Sequence, residues 1–141
     1  GNSTQWPSTL NVAATWDPAL AKEFGIAMGE EWWKKGTNVL EGPGINVMRI
    51  PHNGRTFEYI SGEDPTLGAT MAGAVVRGIQ SNRGVMANAK HYIACDEDTQ
   101  RATEWGSREI RREVHYLSTP FKRQLRNYIK DRHMYASCVL M

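Results

Sequence analysis

The stretch Gly42–Pro65, GPGINVMRIPHNGRTFEYISGEDP, is followed after one helical segment by Ala89–Ile93, AKHYI. Gly42, Gly44, Gly54 and Gly62 punctuate the first stretch, which carries Arg49, Arg55, Glu58, Glu63 and Asp64. It is long for a connection, and long loops inside compact domains are usually functional or mobile. The second stretch closes an apolar run on the adjacent pair Lys90 and His91. Charged groups placed where a strand gives way to a loop are where α/β proteins put binding chemistry.

Working outward from these loops, helical and extended patterns alternate, as in βα units. Leu10–Ala14 is short and apolar and reads as a first strand. Asp17 then caps a helix that has Pro18 at its first position, where the missing N–H costs nothing. Leu20, Phe24, Ala27, Met28 and Trp32 recur at helical spacing, with Glu23, Glu30, Lys34 and Lys35 on the other face and Gly36 as a stop. Trp32 and Trp33 read as core packing plus a surface contact. Asn38–Leu40 reads as a second strand, ended by Gly42-Pro43-Gly44. Asp64-Pro65 repeats the cap-plus-proline start, and Leu67, Met71, Ala74, Val75, Gly78 and Ile79 form the buried stripe of the next helix. Gly68, Gly73 and Gly78 weaken its intrinsic helicity, so close packing on a neighbour has to compensate. Val85–Ile93 is expected as a third strand, Ser107–Lys130 as a helix interrupted at Pro120, and Met134–Met141 as a final strand. No internal repeat is visible. The order β-α-β-loop-α-β-α-β, under the right-handed crossover rule, gives a parallel sheet with helices packed on it.

A chain of 141 residues, 40% hydrophobic and 23% charged, is one globular domain able to bury a core. Its apolar runs are far short of a transmembrane segment. Cys95 and Cys138 have no metal-ligand spacing and read as buried free thiols. His52, His91, His115 and His133 form no ligand cluster, so no metal or other cofactor is implied. The net charge of +2 hides a basic block: Arg108–Arg132 holds eight Lys/Arg against three acids. That block reads as a solvated helix face in preference to a surface for RNA, anionic lipid or an acidic protein. Nucleic acid is disfavoured because no aromatic and glycine signature accompanies it.

From about Trp6 to Lys122 the chain resembles glycoside hydrolase family 3, the β-glucosidase family. The resemblance is carried by LNVAATWDPALAKEFGIAMGEE, NVLEGPGINVMR, GRTFEYISGEDP, VVRGIQS, AKHYIACDEDTQR and YLSTPFKR. It implies part of a (β/α)8 barrel, a fold that takes about 250 residues. The expectation is therefore an incomplete (β/α)8 barrel of about four parallel strands with intervening helices, residues 1–141 as a single domain. Within it, residues 107–133 form a divergent basic helical segment. The resemblance assigns Arg55, of the GR-x-x-E motif, and the pair Lys90 and His91 to hydrogen bonds with hydroxyls of the sugar at the cleavage subsite.

Physical chemistry fits such a trio. A charged donor makes a strong, directional bond to a sugar hydroxyl, and imidazole donates or accepts by tautomer. In a regular strand Lys90 and His91 point to opposite faces, so both reach one ligand only if the strand ends or twists there. Other readings stand beside this one. Arg55 and Glu58 could brace the loop as an ion pair, Lys90 could pair with Glu41 or Glu58, and Arg49, Glu63 and Asp64 read as braces and caps.

Retaining hydrolysis needs a nucleophilic carboxylate and an acid/base. The family's nucleophile, an aspartate in a Ser-Asp-Trp-like motif, has no match in these residues, and Asp96, Glu97 and Asp98 do not occupy its position. No catalytic residue is therefore assigned. The resemblance implies a β-glucoside or glucan ligand where the site is retained. It also implies a protein partner or homo-oligomer covering open barrel edges, and a secreted or organellar-lumen setting for a working hydrolase. The alternative is a non-catalytic structural subunit derived from such a hydrolase.

Overall fold

The computed structural model describes residues 2–91 and 135–136. The expectations for Cys95, Cys138, Asp96, Glu97, Asp98, the basic segment 107–133 and most of the final strand lie outside the described residues. The elements in chain order are α1 (Thr9–Ala13), α2 (Pro18–Lys34), β1 (Val39–Leu40), a 3-10 turn (Thr56–Glu58), α3 (Pro65–Ile79), β2 (Met86–Ala89) and β3 (Tyr135–Ala136). The three strands form a sheet in the order β1-β2-β3, and both pairings are parallel. Val39 pairs with Met86 and Leu40 with Ala87, while Asn88 pairs with Tyr135. The fold is thus α/β with a small parallel sheet.

The first predicted strand is a helix. Ser8 caps α1 by accepting the Asn11 N–H at 3.3 Å, and Val12 and Ala13 are buried. An apolar run this short does not separate strand from buried helix by periodicity, and the capping serine decides it. Both proline-led helices begin as expected. Asp17 Oδ1 accepts the N–H groups of Ala19 and Leu20, and Asp64 Oδ1 accepts that of Thr66. Helix α2 closes on a Schellman arrangement: Gly36, at φ +80°, donates to the Trp33 carbonyl, and Thr37 N–H donates to the Trp32 carbonyl.

The buried stripe of α3 includes Met71, Ala74, Val75, Gly78 and Ile79, with Leu67 half-buried. The buried face of α2 is rotated from the predicted one. Ala21, Phe24, Gly25 and Gly29 are buried, whereas Leu20 is 44% exposed. The glycines explain this. A Cβ on Gly29 would stand 2.6 Å from the Ile79 carbonyl oxygen, and one on Gly25 would meet the Val75 carbonyl oxygen. The two helices meet at backbone distance, which a seam of larger side chains would forbid. Leu40, Val85, Ala87 and Ala89 complete the core on the helix side of the sheet. Trp32 packs against this core, while Trp33 is half-exposed.

The segment before α1 lies along α2. Glu31 accepts the Thr4 N–H and the Trp6 indole N–H, each at 3.0 Å, and the Trp6 ring meets Phe24 edge-on at 5.7 Å. These bonds, with that from Lys35, hold the Glu31 carboxyl down at about 2 against the effect of burial; the backbone bond from Thr4 is the largest cause.

Candidate functional site

The long loop after β1 returns to the sheet through Gly44. Its carbonyl accepts the Ile60 N–H at 2.9 Å, the Ile45 N–H donates to the Lys90 carbonyl at 2.5 Å, and the Lys90 N–H donates to the Pro43 carbonyl at 3.0 Å. Gly44 therefore bridges in parallel to both Tyr59 and Lys90. Only glycine fits: a Cβ would stand 2.5 Å from the Glu58 carbonyl oxygen and 2.9 Å from Tyr59 Cδ1. The effect is to bring the 3-10 turn against the end of β2.

Glu58 stands at the junction. Its Oε1 accepts Arg55 Nε–H at 2.5 Å and its Oε2 takes Lys90 Nζ at 2.8 Å. The positions Arg55 and Glu58, three apart on a turn with three residues per repeat, share one face. Arg55 is set by its own backbone N–H, which donates to Asn53 Oδ1 at 2.8 Å. Burial opposes ionisation of Glu58 and is the largest single influence on it. The hydrogen bonds and charges of Lys90 and Arg55 together outweigh it, so the carboxyl is held below its usual value.

His91 lies one residue beyond. Its Nδ1 is 2.9 Å from the hydroxyl of Tyr59, a fully buried residue, and the two rings meet edge-on with centroids 6.0 Å apart. The regular strand ends at Ala89, and Lys90 adds one parallel bridge, to Gly44. On the same sheet margin Asn88 Nδ2 donates to Glu41 Oε1 at 2.8 Å. Arg49 and Glu63 are exposed, and Asp64 is the cap of α3.

Of the two ion-pair alternatives for Lys90, the structure has the one with Glu58; Glu41 is taken by Asn88 instead. Sequence reasoning did not identify Tyr59 as the partner of His91, nor Gly44 as the fastener. No short-range pattern marks a contact spanning 32 residues. The whole cluster lies beyond the C-terminal ends of two parallel strands, the position at which α/β folds hold polar ligands.

At that end this parallel α/β unit sets a guanidinium and an ammonium on one carboxylate, with an imidazole next in sequence. Its family follows from comparison with known proteins: residues 1–131 match the glycosyl hydrolase family 3 N-terminal domain, and the chain belongs to that family. A beta-glucosidase of Bacteroides ovatus is 43% identical over 98 residues, covering 70% of this chain and 13% of that protein. Thermostable beta-glucosidase B of Acetivibrio thermocellus is 41% identical over 101 residues, 72% of this chain and 13% of the relative. Among solved structures, beta-glucosidase 3B of Thermotoga neapolitana in complex with alpha-D-glucose matches with a TM-score of 0.62 and 44% identity, over 66% of this chain and 13% of that one. DesR, a beta-glucosidase of Streptomyces venezuelae in complex with D-glucose, gives a TM-score of 0.67 at 34% identity, over 72% of this chain and 13% of that one. The chain thus spans about an eighth of the length of these relatives.

Proposed function

We propose that Arg55, Lys90 and His91 form the glucose-holding side of a β-glucosidase-type site, on part of a (β/α)8 barrel. The observation that carries this is the convergence of Arg55 and Lys90 on the single carboxylate of Glu58, with His91 next in sequence, at the C-terminal strand ends. Relatives solved with glucose in place support a hexose as the ligand.

In this reading the guanidinium and the ammonium donate to sugar hydroxyls as charged donors. With the Tyr59 hydroxyl donating to Nδ1 of His91, the ring proton sits on Nε2, which then donates to the sugar. Retaining cleavage of a β-glucoside requires two further carboxylates, as nucleophile and as acid/base. Glu58 serves neither role, because both its oxygens are engaged by cations. The catalytic pair is supplied from outside these residues, and this part of the site binds and orients.

The test is glucose binding by the folded chain, followed by NMR, alongside hydrolysis of a chromogenic β-glucoside. Saturable glucose binding that disappears in an Arg55→Ala/Lys90→Ala double variant, without chromophore release, is the expected outcome. A folded chain with no affinity for glucose overturns the sugar-site reading. Release of chromophore overturns the statement that the catalytic pair lies elsewhere.

A second reading, a structural subunit derived from a hydrolase, is favoured by one observation. Val39 and Met86, paired in register, are 39% and 37% exposed on the sheet face away from the helices. Such a face suits a covering partner or a second copy.

A further inference from the structure

The two oxygens of Glu58 are divided between the two cations of the site, Oε1 to Arg55 and Oε2 to Lys90. The backbone beneath this carboxylate is fixed from two sides. Its carbonyl accepts the Thr9 hydroxyl at 2.7 Å, and Gly44 packs against the same carbonyl so closely that a Cβ would stand 2.5 Å away. Glu58 is therefore a held anion rather than a mobile surface carboxylate. Side-chain exposures of 39% for Arg55, 22% for Glu58 and 21% for Lys90 leave the group incompletely screened by solvent. Without a carboxylate between them, a guanidinium and an ammonium converging on one point repel each other, and the site carries two positive charges instead of a net one.

We propose that Glu58 is the positioning and specificity residue of this site: by holding Arg55 and Lys90 together and cancelling one charge, it sets the site to take a neutral hexose in preference to an anionic sugar acid. The proposal rests on the sugar-site reading above. A carboxylate-bearing sugar approaching the trio meets Glu58 as a like charge and finds each cation already paired. A neutral sugar offers hydroxyls to the remaining donors, of which an ammonium has three and Glu58 takes one.

The experiment compares dissociation constants of D-glucose and D-glucuronate for the full chain and for its Glu58→Gln and Glu58→Asp variants, by NMR titration at low ionic strength. Glutamine keeps the shape and one acceptor while removing the charge. The expected result is a shift of the glucuronate-to-glucose affinity ratio by about tenfold toward glucuronate in Glu58→Gln. That shift should shrink in high salt, and Glu58→Asp should keep a ratio near the parent's. A ratio unchanged by Glu58→Gln overturns the proposal.

Acylation of Lys90 by acetic anhydride, mapped by mass spectrometry, gives a readout independent of any sugar. Loss of the carboxylate should speed it about threefold, and an unchanged rate overturns the hold of Glu58 on Lys90. If the parent binds neither sugar while Lys90 acylation still responds to Glu58→Gln, the sugar-site reading fails, the specificity claim falls with it, and the positioning role stands.

Discussion

Glu58 gathers the site's charge, and its ionisation links that charge to stability. Its carboxyl is held below the usual value because the bonds and charges of Lys90 and Arg55 outweigh the cost of burial. A group whose folded pKa is depressed adds stability that is fully present above its unfolded value and is lost as pH falls through the folded one. Glu58→Gln should therefore lower the melting temperature at pH 7, and the gap to the parent should close as pH drops below about 4.3 toward strong acid. Equal gaps at pH 7 and pH 3 would contradict this. Gly44 is the second residue on which the site turns, since it alone lets the loop touch both Tyr59 and Lys90. Gly44→Ala puts a methyl against the Glu58 carbonyl and the Tyr59 ring. Overpacking of this kind costs about 1–3 kcal/mol, readable by urea denaturation. Arg55, Lys90 and His91 could be singled out as candidates because each sits in a short motif that the family resemblance carries, GR-x-x-E or Lys-His. Tyr59 was not legible, because its role exists only once the loop has folded back onto β2.

At the scale of elements, the pairing of α2 with α3 rests on glycine. The three glycines of α3 look alike in sequence, and all three led to an expectation of close packing. The structure separates them. A Cβ on Gly78 would collide with the Lys22 carbonyl oxygen and one on Gly68 with the Ser61 hydroxyl, but one on Gly73 would meet only the Arg77 side chain, at 3.4 Å. Gly78→Ala should thus destabilise by about 1–3 kcal/mol through forced separation of the helices. Gly73→Ala should stabilise by roughly 0.5–1 kcal/mol through better helix propensity. Matched chemical denaturation of the two variants checks the pair, and equal signs would refute the seam. Helix α1 was read as a strand because a five-residue apolar run has too little periodicity to separate strand from helix. The segment ahead of it has its own pH signature. Glu31, held down at about 2, keeps Thr4 and Trp6 on α2 while ionised. The same sign rule applies, so Trp6 fluorescence should stay native-like well below pH 4.5 and change with a midpoint near 2.

For the described part of the molecule, the two sides of β1 and β2 differ in burial. Leu40, Ala87 and Ala89 are buried toward the helices, whereas Val39 and Met86 stand exposed on the opposite side. Alternation along a parallel strand normally ends in burial on both faces, because such sheets sit between two covering layers. The parallel order itself was legible from alternating helical and extended patterns. What covers the second face was not, since the register that places Val39 beside Met86 is a long-range fact. A covering partner or second copy, as proposed above, makes a definite demand on solution behaviour. The double variant Val39→Glu/Met86→Glu alters side chains that are already more than a third exposed, so conformational stability of the unit should change by less than about 0.5 kcal/mol per site. Association through that face would instead suffer strongly, because two carboxylates would have to be desolvated at its centre. Analytical ultracentrifugation over a range of concentrations separates these effects. Self-association of the parent that vanishes in the variant, with an unchanged urea midpoint, identifies the open face as the contact between copies. A parent that stays monomeric throughout rules out the homo-oligomer as the covering layer.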